Sequence, residues 1–424
     1  MNDLKKLIFK ELIYKIIDNK IDKFIATEDT FKNISIENFN IFLNALKLNK
    51  SIKMLKFSRI TISQENFELL CKIIQYNKTI NKLLITSFDL LFINANYLKS
   101  YDDLITNLET FISLNFLNEN DKNNLQNKIL DSISYNNSIY NMIVNNNNLK
   151  KLKLKINYNY RLINVLTINA LCKSKTINHL STWIDINYIT LLLNNNKNIT
   201  NLSLLLYLNS NNDLELNFKN FYNCIEQNTS LKKISFRAIK KNDIYKNKIN
   251  FIIETLFESL IKNKSLETIK FKLFDTGFII VNEKIRYELI IKLLQNNNRI
   301  KNLSIKSIKN RIYKELDDFE TVNSFLKYLQ TNNSLKKLKI CSNNFNPRLL
   351  AFVIKNNKTL EYLDLLNSRI QNIDLMLEYL KTNTTLKYLN LKNIGIENKF
   401  YDKETINDAI KEVLKCNKNI KIDY

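Results

Sequence analysis

Asn332-Asn-Ser334-Leu335-Lys-Lys-Leu338-Lys-Ile340, Asn357-Lys-Thr359-Leu360-Glu-Tyr-Leu363-Asp-Leu365 and Asn383-Thr-Thr385-Leu386-Lys-Tyr-Leu389-Asn-Leu391 are one phrase written three times within Thr331–Asn393. Ahead of each Asn the apolar residues keep helical spacing, as Ile373, Leu377 and Leu380 do at i, i+4 and i+7. Behind it they alternate, so that Leu363 and Leu365 point to one face of a short strand. The Asn is expected to close the helix in the left-handed conformation, which it tolerates. The Ser or Thr two residues on is expected to bond nearby backbone and tighten the turn. Helix, polar break and strand therefore form one unit. A single unit cannot bury its apolar face alone, so units must stack, and the stack is a solenoid.

Outward from this triplet the phrase recurs along the chain. Clear copies begin at Asn49, Asn77, Asn146, Ser174, Asn196, Asn228, Asn263 and Asn297, and a shortened one at Asn417. Leu108-Glu-Thr110-Phe111-Ile-Ser-Leu114-Asn-Phe116 is a degenerate copy with Leu in the Asn place. Asn136-Asn-Ser138-Ile139 resembles the phrase but is read as an accidental match inside a helical stretch, 121–144. A faint copy, Asp18 to Ala26, follows an amphipathic helix with Leu4, Leu7, Ile8, Leu12 and Ile16 on one side. Extra residues at Lys240–Lys248 and Lys306–Glu315 are expected to be surface loops between strand and helix. Asn346-Pro347 reads as a helix start, with Asn capping and Pro at the first helical position. The expected organisation is a single solenoid over 1–424, with 1–40 as N-terminal cap and first strand and about thirteen repeats in 41–424. Terminal repeats are expected to carry a more polar outer face.

The run Leu335-x-x-Leu338-x-Ile340-x-x-Asn343-x-Phe345 resembles the leucine-rich repeat, Leu-x-x-Leu-x-Leu-x-x-Asn-x-Leu. The intervening helices and long period resemble its ribonuclease-inhibitor-like subclass. That resemblance implies an α/β horseshoe, with parallel strands on the concave face and helices on the convex face. The second family Asn becomes Ser368 and Ile394 in the next two units, a departure at the turn after each strand.

Composition narrows the function classes. With Gly 2 and Pro 1, no glycine-rich phosphate loop can be built from Gly277 and Gly395. The one histidine, His179, has no neighbouring Cys or His, so neither a metal site nor another cofactor is expected. No catalytic motif surrounds any carboxylate pair, so the chain is expected to be non-enzymatic, with no small-molecule substrate. Five scattered Cys without a CxxC pair suit a reducing compartment. The charged N-terminus does not read as a signal peptide and no apolar run approaches a membrane span, so the expected location is cytoplasmic (a host's cytoplasm for a viral chain). Abundant Lys, Asn and Ile are what an AT-rich genome encodes, as in large DNA viruses, some protists and some bacteria. Lys+Arg 64 against Asp+Glu 41 leaves a formal charge of +23, which favours acidic partners unless codon usage alone decorates the surface.

The strands suggest where such a partner binds. Residues flanking the inward apolar pair face away from the helices and align from strand to strand. These columns gather Lys151, Lys153, Lys155, His179, Trp183, Lys233, Arg237, Lys270, Lys272, Lys337 and Lys339, with Tyr362, Asp364 and Tyr388 at the C-terminal end. Cations recur there, and Asp364 is the one carboxylate singled out. The expected function is a non-catalytic protein-interaction scaffold whose basic inner face binds an acidic protein. The alternative is sequence-nonspecific nucleic-acid binding on that face, with Trp183, Tyr362 or Tyr388 stacking on bases.

Overall fold

The phrase's Asn does its work through its side chain rather than through a left-handed backbone. Asn357 and Asn383 end their helices at φ −73°, ψ 125° and φ −72°, ψ 121°, which is extended backbone. Among the described residues, Asn19 alone (φ 55°) is a non-glycine with positive φ. The amide of Asn357 is buried and used at both ends. Its Oδ1 accepts from Thr359 N (2.9 Å) and Leu360 N (2.7 Å), closing its own turn. Its Nδ2 donates to Leu329 O (2.6 Å) and Asn332 O (3.0 Å) in the preceding unit. Asn263, Asn297 and Asn417 likewise each donate to two carbonyls of the unit before. The last carbonyls of a helix have no partner within the helix, and here the next repeat supplies one. The Ser or Thr adds to the same clamp: the Ser265 hydroxyl bridges to Asn228 O (2.9 Å) and Leu231 O (2.8 Å).

The computed structural model describes residues 2–27, 36–62, 64–90, 137–155, 161–183, 186–207, 214–239, 246–273, 283–307, 319–340, 345–366, 368, 370, 373–392 and 403–424. Thirteen strands lie among the described residues, and the chain resolves into two units, Met1–Leu202 and Ser203–Tyr424.

The first unit contains α1 (Asn2–Ile17), β1 (Lys23–Thr27), α2 (Ile36–Leu48), β2 (Met54–Ile62), α3 (Gln64–Tyr76) and β3 (Lys82–Leu90). A helix over 137–145, α4, then leads to β4 (Lys151–Lys155), α5 (Arg161–Lys173), β5 (His179–Trp183) and α6 (Ile186–Asn195). Strands that follow one another in sequence pair in parallel, β1 with β2, β2 with β3, β3 with β4 and β4 with β5. Phe24, Phe42 and Phe57 meet in its core, the first two stacked at 5.0 Å.

The Leu108 copy lies outside the described residues, yet its expected place in the sheet is taken. Lys82 pairs with Lys151 and Leu83 with Leu152, so no strand stands between β3 and β4. Asn146 Nδ2 donates to Ile74 O, and Asn81 O accepts from Lys150 N and Lys151 N, each at 3.0 Å. The repeat therefore resumes at Asn146 directly against the α3–β3 unit. The helical reading across Asn136–Ile139 holds where it is described, at 137–145.

β6 (Asn201–Tyr207) lies at the division between the units. The second unit continues through α7 (Leu214–Gln227), β7 (Lys233–Ile239), α8 (Lys246–Lys262), β8 (Thr268–Leu273), α9 (Glu283–Asn296), β9 (Asn302–Ser307) and α10 (Phe319–Thr331). It ends with β10 (Lys337–Ile340), α11 (Pro347–Asn356), β11 (Tyr362–Asp364), α12 (Asp374–Thr382), β12 (Tyr388–Asn390), α13 (Lys403–Cys416) and β13 (Lys421–Asp423). Pairing from β7 to β13 is again parallel and in sequence order. Leu338, Leu363, Leu389 and Ile422 form one register row, and all four are buried. Phe345, the final apolar position of the repeat consensus, bridges to Ile370. Asn346 caps α11, accepting from Arg348 N (3.0 Å) and Leu349 N (3.2 Å), with Pro347 beginning the helix.

Two expectations change. Lys246–Lys248 are the first residues of α8 rather than loop, while most of the other extra residues fall outside the described ones. The outer side of the N-terminal helices is also not more polar: Tyr14, Ile17, Ile41, Leu48, Leu69 and Tyr76 are exposed on α1, α2 and α3.

Candidate functional site

Strand residues that alternate with the buried row form the sheet face turned away from the helices. In the first unit, register places Met54, Lys82, Lys151 and His179 side by side, with Lys56, Leu84, Lys153 and Ser181 in the adjoining row. Lys151 is exposed and Lys82, Lys153 and His179 are half-buried. Ile25 of β1, opposite Lys56, adds an exposed apolar side chain. No Asp or Glu occupies the outward positions described on β1 to β5. His179 is engaged with amides: Nδ1 lies 2.7 Å from Asn178 Oδ1, and Asn201 Nδ2 lies 2.7 Å from Nε2. Lys155 pairs with Thr86 and Trp183 ends β5, but their side chains lie outside the described residues.

In the second unit, Lys233 pairs with Thr268, Lys270 with Ser304, and Arg237 with Lys272. Lys233 and Lys270 are half-buried, and the side chains of Arg237 and Lys272 lie outside the described residues. The cations here are diluted by hydroxyls and amides, such as the Asn302 amide, which donates to Thr268 Oγ1 at 3.0 Å.

The strands β10 to β13 carry a tighter cluster. Tyr362 and Tyr388 pair in register and their rings stack at 4.3 Å, 14° from parallel. Lys339 lies over the other side of Tyr362, 4.9 Å from its centroid, with Lys337 at 6.0 Å. Lys421 covers Tyr388 at 5.7 Å. One face of each ring is therefore covered by the other ring, and ammonium groups stand within 6.0 Å of both centroids.

Charge in this cluster is compensated. Lys339 Nζ binds Asp364 Oδ2 at 2.7 Å and the Tyr362 hydroxyl at 3.1 Å. Burial, the largest single influence, pulls the Lys339 pKa down, but its bonds to Asp364 and Tyr362 outweigh it and leave the pKa raised. Asp364 is only 3% exposed, and its other oxygen accepts from Asn390 Nδ2 (3.0 Å) and Leu366 N (3.2 Å). That buried carboxylate is held by Lys339, Asn390 and the Leu366 backbone.

A second carboxylate completes the row. Asp423, in register with Asn390, accepts from the Tyr388 hydroxyl at 2.7 Å and lies 3.4 Å from Lys421 and 3.6 Å from Lys392. Columns read only as far as Asn390 miss it. The signal was present in the last phrase, where Asp423 follows Ile422 as Asn390 follows Leu389. The Tyr388 hydrogen bond holds the Asp423 carboxyl below its ordinary value, working with Lys421 and Lys392 against partial burial. The same bond raises Tyr388 well above the usual phenol value. A carboxyl depressed on folding stabilises the fold above its unfolded value of about 3.9, and loses that contribution as pH falls through the folded value. Asp423→Asn is expected to flatten the acid limb of a stability–pH profile relative to wild type. Identical acid limbs would remove Asp423 from that role.

Among the described residues, no group of three or more His, Cys, Asp or Glu could hold a metal ion. No helix described is long and apolar enough to cross a membrane.

No protein family and no curated protein matches the sequence. Solved structures align at low similarity. One is a protein from Bacteroides fragilis, at 11% identity and TM-score 0.37, covering 65% of this chain and 74% of that one. Another is the TLR13–ssRNA13 complex, at 12% identity and TM-score 0.36, covering 88% of this chain and 48% of that one. The chain thus spans about half the length of the chain it matches in that complex. The fold is a leucine-rich-repeat solenoid. What identifies it is its own alternation of parallel strand and helix around the Asn phrase. Stacked repeats of this kind present extended surfaces used for binding.

Proposed function

We propose that the chain is a non-catalytic scaffold in which 1–424 acts as one run of ribonuclease-inhibitor-like repeats and binds an acidic protein on the outward sheet face. The observation carrying this reading is the register row Lys82–Lys151–His179 beside Leu84–Lys153–Ser181. It joins cations to half-buried apolar side chains with no described carboxylate between them. Such a surface steers an acidic partner by charge and holds it by apolar contact. The C-terminal cluster contributes shape and ring edges, since its own carboxylates already balance Lys339 and Lys421. Mutual stacking of Tyr362 and Tyr388, with ammonium groups beside both rings, favours protein over nucleic acid, because a base needs an open ring to stack on.

A cytoplasmic location fits the cysteines. Cys71, Cys172, Cys224 and Cys416 are free thiols, and burial pushes the Cys71 thiol far above its ordinary range.

The test is capture by the full chain before and after nuclease, comparing wild type with Lys82→Glu/Lys151→Glu. A protein retained through nuclease treatment, and held at least about tenfold more weakly by the double variant at unchanged thermal midpoint, supports the reading. Retention that disappears with nuclease, together with a steep salt dependence of affinity for random RNA, favours nucleic acid.

A further inference from the structure

The residue just before the phrase's Asn or its equivalent ends each helix. From Lys173 through Thr382 this position is Lys, Asn, Gln or Thr. In α1, α2 and α3 it is Ile17, Leu48 and Tyr76, which are 43%, 63% and 69% exposed. Seven residues earlier, two helical turns back on the same side, α2 and α3 carry Ile41 and Leu69, also exposed. Consecutive helices in this group pack side by side, so these residues form one apolar patch on the helical side of the first unit. Burying a core does not require them there. The same repeat position is polar in α4 to α12, and those helices pack in the same way.

The charges around the patch indicate its occupant. Lys47, Lys50, Lys72 and Lys78 are exposed at the C-terminal halves and ends of α2 and α3, and no described carboxylate pairs with them. Lys15 and Lys20 are already held by Glu11 (2.6 Å) and Asp18 (3.0 Å). The acidic groups on α3 are Glu65 in its first turn and half-buried Glu68. A second copy would bring the same four lysines face to face, which opposes self-association. An anionic, laterally extended surface satisfies both the apolar side chains and the cations. Exposed Leu and Tyr at the level of lysine headgroups match the pattern of interfacial membrane attachment.

We propose that the outer face of α1–α3 docks on anionic lipid bilayers, with Leu48 and Tyr76 entering the headgroup layer and Lys47, Lys50, Lys72 and Lys78 lying against acidic headgroups. This face is separate from the sheet face, so either site can fail without the other.

The full chain is to be floated with phosphatidylcholine vesicles, with and without phosphatidylserine, as wild type and as Leu48→Ser/Tyr76→Ser. Wild type is expected to float only when phosphatidylserine is present. The double variant is expected to partition about tenfold more weakly, at unchanged net charge and thermal midpoint, because two partly inserted apolar side chains are gone. Equal flotation of variant and wild type would overturn the proposal, since the +23 charge alone would then be responsible. It is equally overturned if wild type floats with neither vesicle, or if the patch instead supports a dimer or a captured protein that the variant abolishes.

Discussion

Asn357→Asp is expected to destabilise the protein by about 3–5 kcal/mol at neutral pH, although it changes a single atom group in a side chain of the same shape. The Oδ1 of the amide accepts from Thr359 N and Leu360 N, and a carboxylate preserves that half of the clamp. The other half is inverted: an oxygen would replace the nitrogen that now donates to Leu329 O at 2.6 Å and Asn332 O at 3.0 Å. Protonation restores one donor, so the folded protein favours the neutral acid and raises the pKa of that carboxyl. The sign of the pH effect follows. A carboxyl raised on folding carries no penalty below its unfolded value of about 3.9, and a growing one as pH climbs toward the raised folded value. The gap between variant and wild type in urea midpoints should therefore narrow as pH falls toward about 4. Asn357→Ala, which removes both donor and acceptor, is expected to cost about 2–4 kcal/mol without that pH dependence. A loss under about 1 kcal/mol for the Asp variant, or a gap independent of pH, would mean that the amide does not bind one repeat to the next.

The clamp explains why most of the fold was readable and one repeat was misplaced. Leu, Ile and Phe spacing alone admits the Leu108 copy, but Leu108 puts an apolar residue where the inter-repeat donor belongs. Ser174 fills that place with a hydroxyl that accepts from Ile177 N at 3.4 Å, while Thr176 Oγ1 supplies the donor to Asn146 O at 3.1 Å and Leu149 O at 3.0 Å in the preceding unit. Polarity at that position separates a working repeat from a chance one, and a search weighted only on the leucines does not see it. The rows of the sheet face follow from the phrase register: the Leu108 copy separated Lys82 from Lys151, but Lys151 and His179 could be aligned from sequence. Their electrostatic company could not. Asp364 neutralises Lys339 on the neighbouring strand, and Asp423 neutralises Lys421 on its own strand together with the sequence-distant Lys392; which oxygen reaches which ammonium depends on rotamers rather than spacing. The apolar helix ends at Leu48 and Tyr76 were visible in the sequence as departures from a polar position, once that position had been defined by the structure.

Leu363→Ala is expected to cost about 2–5 kcal/mol, the range for a buried leucine leaving a cavity. Leu363 is 1% exposed and sits between Leu338 and Leu389 in the register row. Leu69→Ala, on the outer side of α3, is the contrasting substitution and should lose less than about 1 kcal/mol. The larger test is where the damage goes. Stability in a stacked fold is close to a sum of units and nearest-neighbour interfaces, and Leu363 belongs to two such interfaces. Amide exchange should accelerate in β10, β11 and β12, while β7 and β8 keep more of their protection. Loss confined to β11 would mean that the repeats hardly couple. Equal loss from β7 to β13 would mean that the second unit unfolds in one step, and the Asn clamps would then have to act with the apolar rows as a single cooperative block.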